Sequence, residues 1–416
     1  MLNRRLYYLG LAIFFIFSGC TSSEGTSEDR FSFEDSKTPA QAPPKQDQTV
    51  VPDKVLMFKG EMSVTLPEKG ILVALRRWGS TTLAVFDIPR KLLVPIVTKT
   101  TGELVVSQNA ERVAYLVRNG VNPAKNHIEI LNLRQGKGQR IKPANNYAIL
   151  GFTLAPHGTQ LAYAGLNLRR SSSRRVHWRS GLADLEKFET RITATSENDG
   201  FPGDGIPVPF AWSGTTGEIY LRGLSPFRGM VHQGIWARKF AGSAVRRVLP
   251  EPSYTGVPRL SPDGRYLAYL TTRVEDFPPS YLPSPGAPPG NVLVVMNLLT
   301  GARRTWLQET GSAVGAFSWT VTGREILVSR QEWVEGRFRD VALLRVGREK
   351  TSHLWKFPSS PSSRVSGVEA CSQGHFFWVE KDDRGAKLRA DGFHPELETL
   401  FELSQGEIRV IGCLEN

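Results

Sequence analysis

The chain has 416 residues, including 39 glycines and 27 prolines, and its formal net charge is +12 at neutral pH. So many turn-forming residues, without a helix-period run of ordinary length, argue against an α-helical fold. The part of the chain after residue 53 holds roughly 360 residues, which is more than a single hydrophobic core usually organises. A modular fold built from many short strands is therefore expected.

Residues 1–19 are predicted to be a lipoprotein signal peptide. Two arginines precede an apolar run from Leu6 to Phe17, which is shorter than the roughly 20 residues that cross a bilayer. The residues Phe-Ser-Gly-Cys at 17–20 resemble a bacterial lipobox, with Phe17 in place of the usual leucine. The resemblance implies cleavage before Cys20 and its acylation, and two or three acyl chains anchor a protein stably. The alternative is an ordinary secretory peptide in which Cys20 is incidental.

Residues 20–53 are rich in Ser, Thr, Glu, Pro and Gln, and they predict a flexible tether before a globular domain at 54–416. Thr21, not Asp, follows the cysteine, which by analogy with Gram-negative sorting favours the outer membrane, at its periplasmic face or the cell surface. We expect the membrane, through the lipid anchor, and an envelope protein as partners of a domain that is monomeric by itself. No nucleic acid partner is expected, because an exported lipoprotein rarely meets it and no binding motif for it is visible.

One pattern recurs along the rest of the chain: a strand, a tight turn and a second strand. The clearest copy is Leu260–Thr271, in which Ser-Pro-Asp-Gly has turn chemistry and the following apolar run has strand length. Weaker copies place turn positions about 40 to 60 residues apart, as in four-stranded propeller blades. These positions are Gly70, Ala110, Gly158, Gly217, Gly264, Gly323 and Gly374.

The segment LSPDGRYLAYLT at 260–271, followed by NVLVVMNLLTGARRTW at 291–306, resembles the repeat of TolB-type β-propellers. Relatives of that repeat include the propeller halves of prolyl oligopeptidase-like peptidases. The resemblance implies an all-β fold, a β-propeller of four-stranded antiparallel blades. We favour seven blades, with six as the alternative if the weak Gly70 unit is not a blade. Asp263 and the turn glycines are then structural residues of the blades.

Two long loops are candidate contact surfaces. The first carries five arginines and is a candidate contact for an anionic partner such as phospholipid headgroups, lipopolysaccharide or an acidic protein face; the alternative is a solvated loop. The second, at 277–290, is proline-rich and either covers a channel mouth, meets a partner or simply connects two strands. The arginines of the first loop are Arg169, Arg170, Arg174, Arg175 and Arg179.

Cys371 and Cys413 are a candidate disulfide. An exported protein meets conditions that permit such bonds, and Cys413 ends the last strand-like run of the chain. If that run returns to the first blade, a bond between the two cysteines would hold the ring closed. The alternative is a pair of buried thiols.

The sequence predicts no catalytic, cofactor-binding or metal-binding residue. It has no Gly-x-Ser-x-Gly nucleophile elbow, nucleotide-binding loop or paired histidines. We therefore expect a non-catalytic envelope scaffold for protein–protein interaction. The alternatives are an enzyme or small-ligand or glycan receptor at the channel mouth, and a structural role at the cell surface. The channel lining discriminates: converging charged side chains favour the enzyme or receptor, and an apolar or closed channel favours the scaffold.

Overall fold

The structure is a computed structural model. It describes the chain from Asp53 to Glu415 with gaps, as residues 53–58, 66–67, 69–77, 80–100, 103–118, 122–144, 146–171, 176–197, 201, 205–225, 231–240, 244–250, 255–278, 281, 289–357, 364–371, 375–391 and 398–415. The proposed signal peptide, Cys20 and the tether up to residue 52 lie outside the described residues.

Twenty-nine strands in the described residues form seven antiparallel sheets, and the sheets are arranged as blades of one ring. The innermost strand of each blade contacts the innermost strands of the two neighbouring blades around the whole ring, so these strands surround a central channel. The prediction of a seven-bladed all-β propeller is confirmed. The alternative of six blades is wrong.

The first four blades have the following strands. Blade 1 consists of β2 (Lys69–Arg77), β3 (Ser80–Asp87), β4 (Leu92–Thr100) and β29 (Glu407–Glu415). Blade 2 consists of β1 (Lys54–Phe58), β5 (Leu104–Val106), β6 (Arg112–Val117), β7 (His127–Asn132) and β8 (Gly138–Lys142). Blade 3 consists of β9 (Tyr147–Leu154), β10 (Gln160–Asn167), β11 (Trp178–Asp184) and β12 (Glu189–Thr195). Blade 4 consists of β13 (Ile206–Ser213), β14 (Glu218–Ser225), β15 (Val231–Lys239) and β16 (Val245–Leu249).

The last three blades each have four consecutive strands. Blade 5 consists of β17 (Thr255–Leu260), β18 (Tyr266–Thr271), β19 (Val292–Asn297) and β20 (Arg303–Gln308). Blade 6 consists of β21 (Ser312–Trp319), β22 (Glu325–Val334), β23 (Arg337–Gly347) and β24 (Thr351–Lys356). Blade 7 consists of β25 (Arg364–Ala370), β26 (Phe376–Lys381), β27 (Gly385–Asp391) and β28 (Glu398–Ser404). Two 3-10 turns, Pro123–Lys125 and Val274–Asp276, interrupt the loops.

The two ends of the described chain close the ring. β29, from the carboxyl end, is the innermost strand of blade 1 and pairs with β2. β1, from the amino end, adds a fifth, outermost strand to blade 2 by pairing with β8. Blade 1 is thus made of both ends of the sequence, and the ring cannot open without separating β29 from β2.

The tight turns between first and second strands repeat the same geometry. In four of them the backbone N–H of the turn residue donates to the carbonyl three residues earlier, at 2.8–2.9 Å, and each turn residue has a positive φ. These residues are Ala110, Gly158, Gly264 and Gly323. Gly217 also has a positive φ, of 63°, whereas Gly374 lies outside the described residues. The prediction for Gly70 was wrong: it lies inside β2, because β29 supplies the first strand of that blade.

The core consists of apolar layers between neighbouring blades. One layer joins Leu293 and Val295 of blade 5 to Val328 and Leu344 of blade 6, and the other described layers follow the same plan. Because successive strand residues point to opposite faces, each blade packs one set of side chains on the preceding blade and one on the next. No helix in the described residues is long and apolar enough to cross a membrane.

The propeller has two distinct faces. The turn face carries the tight turns described above, at the carboxyl ends of the innermost strands. The opposite face, the start face, is where the innermost strands begin, and it carries the loops between second and third strands. The described ends of the loop with the arginines, between β10 and β11, and of the proline-rich loop, between β18 and β19, therefore lie on the same start face.

Candidate functional site in the central channel

Three successive blades place polar side chains at the same position of their innermost strands. Arg259, Ser318 and Glu369 are the penultimate residues of β17, β21 and β25. Arg259 Nη1 lies 3.5 Å from Glu369 Oε2, so an ion pair spans the intervening blade 6. Ser318 Oγ donates to Glu369 Oε1 at 3.1 Å. These contacts make one polar group at the wall of the channel.

The ion pair is in contact with water although it lies inside the ring. The side chains of Arg259 and Glu369 are 44% and 22% exposed, respectively, so the channel is not filled by protein at this level. The surrounding protein nevertheless removes much of the solvent, and this desolvation raises the pKa of Glu369. The neighbouring Arg259, Ser318 and Arg409 oppose that rise.

Glu103 and Arg409 extend the charged wall to blades 2 and 1. Desolvation raises the pKa of Glu103 from 4.5 to about 7, against the opposing attraction of Arg222, Arg409 and Arg118. Desolvation also lowers the pKa of Arg409, and repulsion from Arg259 lowers it further. We call Glu103, Arg222, Arg259, Glu369 and Arg409 the channel cluster; they come from five different blades.

Two members of the channel cluster lack a direct partner. In the described part of the chain, neither the Glu103 carboxylate nor the Arg409 guanidinium makes a hydrogen bond or an ion pair; each interacts with the other charges only at longer range. Unpaired opposite charges in a wetted channel are available to a ligand.

The channel is narrowed at the turn face. Gln108, in the turn of blade 2, donates its side-chain N–H to the carbonyl oxygen of Pro262 in the turn of blade 5. Its backbone N–H also donates to Pro156 O of blade 3, at 3.1 Å. Blades 2 and 5 are not neighbours, so the first bond crosses the mouth of the channel. A ligand therefore reaches the channel cluster most easily from the start face.

The predicted turn residues have structural roles. Asp263 Oδ1 accepts hydrogen bonds from Ser261 Oγ at 2.6 Å and from the backbone N–H of Arg265 at 3.1 Å. Ser213 Oγ of the neighbouring blade donates to Gly264 O at 2.8 Å. The turn of blade 5 is thus fastened both internally and to blade 4.

The five arginines proposed as a contact surface do not act together. Arg169 and Arg170 are exposed after β10, and Arg174 and Arg175 lie outside the described residues. Arg179 is only 3% exposed, and its guanidinium pairs with the buried carboxylate of Asp53. Assigning Arg179 to an external anion was therefore wrong, because it neutralises an internal one.

Asp53 also corrects the predicted start of the domain. It was placed in the tether, but its carboxylate is buried, and it accepts hydrogen bonds from Arg179, from the Tyr163 hydroxyl and, at 2.5 Å, from the backbone N–H of Ala144. Burial and the adjacent Asp53 raise the pKa of Tyr163. This buried group fixes the start of β1 against blades 2 and 3.

The structure joins Cys371 and Cys413 in a disulfide, with Cα atoms 5.7 Å apart. Cys371 follows β25 of blade 7, and Cys413 lies in β29, the closing strand of blade 1. The bond therefore links the last blade to the strand that completes the ring.

The proline-rich loop begins in an aromatic group. Phe277 is buried, and the ring centroid of Tyr281 lies 5.1 Å from that of Trp333 and 5.8 Å from that of Phe338, both in the long hairpin of blade 6. The start of the loop is therefore packed on the neighbouring blade, while residues 279–280 and 282–288 lie outside the described residues.

Sequence reasoning missed the channel cluster. Its members are far apart in the chain, and each is an isolated charge in a short strand or loop. A usable signal was present: Arg259 and Glu369 are charged residues at the penultimate position of their strands, just before the turn. Among the described residues, no group of three or more His, Cys, Asp or Glu side chains has the arrangement of a metal site.

No protein-family model and no curated protein sequence matches this chain. Solved structures, however, do match it. A structure of the dihydro-heme d1 dehydrogenase NirN in complex with DHE is 13% identical, with a TM-score of 0.51, and the match covers 86% of this chain and 79% of that one. TolB from Acinetobacter baumannii is 15% identical over 68% of this chain and 65% of its own, with a TM-score of 0.40.

The chain is similar to TolB and to other β-propeller proteins. A prolyl endopeptidase structure is 13% identical, with a TM-score of 0.49, and the match covers 75% of this chain but half of that one. At these identities the likeness establishes the fold alone. The neighbours include enzymes, so the fold does not decide between binding and catalysis.

Proposed function

We propose that this protein is an exported binding propeller, tethered to a bacterial membrane through acylated Cys20, that receives part of an envelope partner in its central channel. The observation that carries the proposal is the channel cluster, in which charged side chains from five blades are coupled electrostatically. Such charges favour a receptor at the channel over a scaffold that binds at its rim, so the partner is proposed as a ligand of the channel. A scaffold that bound its partner by its outer rim would gain nothing from charges held inside the ring, where desolvation disfavours them.

The channel also offers an apolar contact beside the charges. Val257 precedes Arg259 by two residues on β17, the innermost strand of blade 5. Val257 is 51% exposed, whereas Pro258 between them is buried. An exposed apolar side chain next to unpaired charges is suited to an extended peptide segment, which presents both kinds of group.

The anchor is tested by metabolic labelling with an alkyne fatty acid. The full chain is expected to be labelled and to sediment with membranes, and Cys20→Ala is expected to lose both properties. If Cys20→Ala were still labelled, or if the wild-type chain were released as an unmodified soluble protein, the proposed anchor would be wrong.

The channel is tested by photo-crosslinking in native membranes. A photoreactive amino acid replaces Val257 in the channel or, as a matched control, Val321, which is 48% exposed on the turn face. We expect one abundant crosslinked partner from position 257 and none from position 321. Equal products from both positions, or none from 257, would contradict binding in the channel.

The second candidate function is catalysis in the channel. It is favoured by the pKa of Glu103, about 7, which suits a general acid or base near neutral pH, and by the second carboxylate, Glu369. In that case, turnover of a bound substrate would follow a group with this pKa, and Glu103→Gln would abolish turnover while leaving binding. A pH–rate profile unchanged by Glu103→Gln would exclude this role.

A further inference from the structure

Four hairpins between third and fourth strands share one geometry. Each third strand runs from the start face to the turn face, so these hairpins project from the turn face. An Asp or Asn begins each hairpin, and its side-chain Oδ1 accepts backbone N–H groups from two or three residues later, at 2.9–3.1 Å. We call residues 87–92, 132–137, 184–189 and 297–304, of blades 1, 2, 3 and 5, the turn-face hairpins.

The fourth residue after the Asp or Asn has a positive φ in every turn-face hairpin. It is Gly136 in blade 2 and Gly301 in blade 5, at φ of 65° and 73°. In blades 1 and 3 it is Lys91 and Phe188, at φ of 52° and 58°. A bulky side chain is rarely found in this left-handed region, which favours glycine. Phe188 is moreover 45% exposed, so packing within the chain offsets little of its strain, whereas a contact outside the chain would.

The turn face also carries most of the exposed apolar side chains. Six large apolar side chains in the described residues are exposed, and four of them lie on this face. Blades 1, 3 and 5 each contribute one from a turn-face hairpin, and blade 6 contributes one from its tight turn. These blades are spread around the ring, so an occupant that contacts all of them must be broad and flat. The four residues are Leu92, Phe188, Leu299 and Val321.

Positive charge surrounds these apolar tips. The turn-face hairpins, which are described throughout, expose seven basic side chains and two acidic ones, Glu186 and Glu189. Arg90 pairs with Asp87 and Arg134 with Glu111, but both arginines remain largely exposed. At an anionic bilayer, apolar side chains enter the boundary of the acyl chains while neighbouring cations contact the headgroups. The seven basic residues are Arg90, Lys91, Arg134, Lys137, Lys187, Arg303 and Arg304.

We propose that the turn face docks on an anionic lipid bilayer, with Leu92, Phe188 and Leu299 inserted among the headgroups. A folded protein is less suited, because it would have to offer anionic and apolar contacts across the whole width of the ring. The inference goes beyond the proposed function, since it needs neither the acyl anchor nor the channel cluster. Docking in this orientation leaves the start face, from which a ligand reaches the channel, open to solvent.

The test places an environment-sensitive fluorescent amino acid at position 188 of the full chain or, as a matched control, at position 274. Val274 is also exposed and apolar, but it follows the second strand of blade 5 and so lies on the start face. At roughly 3.3 Å per residue, the proposed tether up to residue 52 would span about 100 Å when extended, so an acylated chain is free to present either face.

The chain is reconstituted with vesicles of phosphatidylglycerol and phosphatidylcholine whose acyl chains carry bromine, which quenches fluorescence. We expect quenching and a blue shift of the emission at position 188 and neither at position 274. Vesicles of phosphatidylcholine alone, and added salt, are expected to reduce the quenching, because both weaken the attraction between the cations and the headgroups.

Two variants separate docking from folding, with the fluorescent amino acid moved to position 92. Phe188→Gly is expected to lower the docking equilibrium about fivefold, since roughly half of that side chain is free to enter the lipid. Its melting temperature is expected to be unchanged or higher, because glycine readily adopts the positive φ. Lys187→Gln is expected to lower docking about fivefold, and Lys125→Gln, exposed on the start face, to leave it unchanged.

Four results would overturn the inference: no quenching at position 188, equal quenching at positions 188 and 274, equal quenching on phosphatidylcholine alone, or docking unchanged by Phe188→Gly or by Lys187→Gln. A protein crosslinked from position 188 in native membranes, without quenching on vesicles, would assign the turn face to a protein instead. The outcome is separable from that of the proposed function. Docking without a partner crosslinked at position 257 would keep the membrane face and remove the channel ligand, and the reverse result would do the opposite.

Discussion

Replacing Glu103 with glutamine is expected to stabilise the protein in alkaline solution and to have little effect in acid. In the folded protein the pKa of Glu103 is about 7, against an ordinary value of 4.5, so the folded state holds the proton more tightly than the unfolded chain does. The stability contributed by the neutral acid is complete below pH 4.5, and it is lost as the pH rises through about 7.

The size of the effect follows from the two pKa values. Each pKa unit corresponds to about 1.4 kcal/mol, which gives roughly 3 kcal/mol as an upper limit. Water in the channel lowers this figure, so we expect a gain of about 1–3 kcal/mol, or a rise in melting temperature of about 1–4 °C at alkaline pH for a domain of this size. Glutamine keeps the shape of the side chain and removes its charge.

The assay is scanning calorimetry of the full chain across the pH range in which the protein remains soluble. The difference in melting temperature between Glu103→Gln and the wild type isolates this carboxyl from the other titrating groups. Glu349→Gln, on an exposed turn of blade 6, is the matched control. A difference that stayed constant with pH, or that was largest in acid, would refute the account of Glu103.

Three further predictions concern the ring and its turns. Replacing Cys371 and Cys413 with serine is expected to lower the free energy of unfolding by about 4 kcal/mol, because the disulfide restricts a 42-residue loop of the unfolded chain. Two thiols that can be alkylated in the oxidised wild-type protein would contradict the bond. Asp53→Ala leaves its buried arginine partner without a counter-ion, so we expect a loss of about 3–5 kcal/mol in thermal melts; an unchanged melting temperature would show that the pair is not formed. Gly264 and Gly217 both have a positive φ, so replacing either with alanine is expected to cost roughly 1–2 kcal/mol of stability from backbone strain. Gly264→Ala is expected to cost more, because its Cβ would also lie 2.6 Å from Ser213 Oγ, whereas nothing lies near a Cβ at Gly217. Equal losses of stability in the two variants would argue against that contact.

The ring could be predicted from the sequence because its determinants are local. The turn of Gly264 is specified by four adjacent residues, and the strand after it by an apolar run of the right length. Repetition of this unit identified the blades even where Ala110 replaced glycine, since its φ of 53° matches the glycine turns. The first blade was harder to define because its inner strand comes from the far end of the chain.

The channel cluster could not be predicted, because it depends on which strands become innermost and on how seven blades face one another. Arg259 and Glu369 lie 110 residues apart and meet only across blade 6. The burial of Arg179 could not be predicted from the sequence either. In the sequence it belongs to a run of exposed basic residues, and in the structure it is buried against Asp53.

The central claim is that the channel receives part of a partner protein, and photo-crosslinking from the full chain in native membranes tests it most directly. We expect a photoreactive amino acid at position 257, in the innermost strand of blade 5, to give one abundant crosslinked partner, and the same group at position 321, on the turn face, to give none. Equal products from both positions, or none from position 257, would contradict the claim.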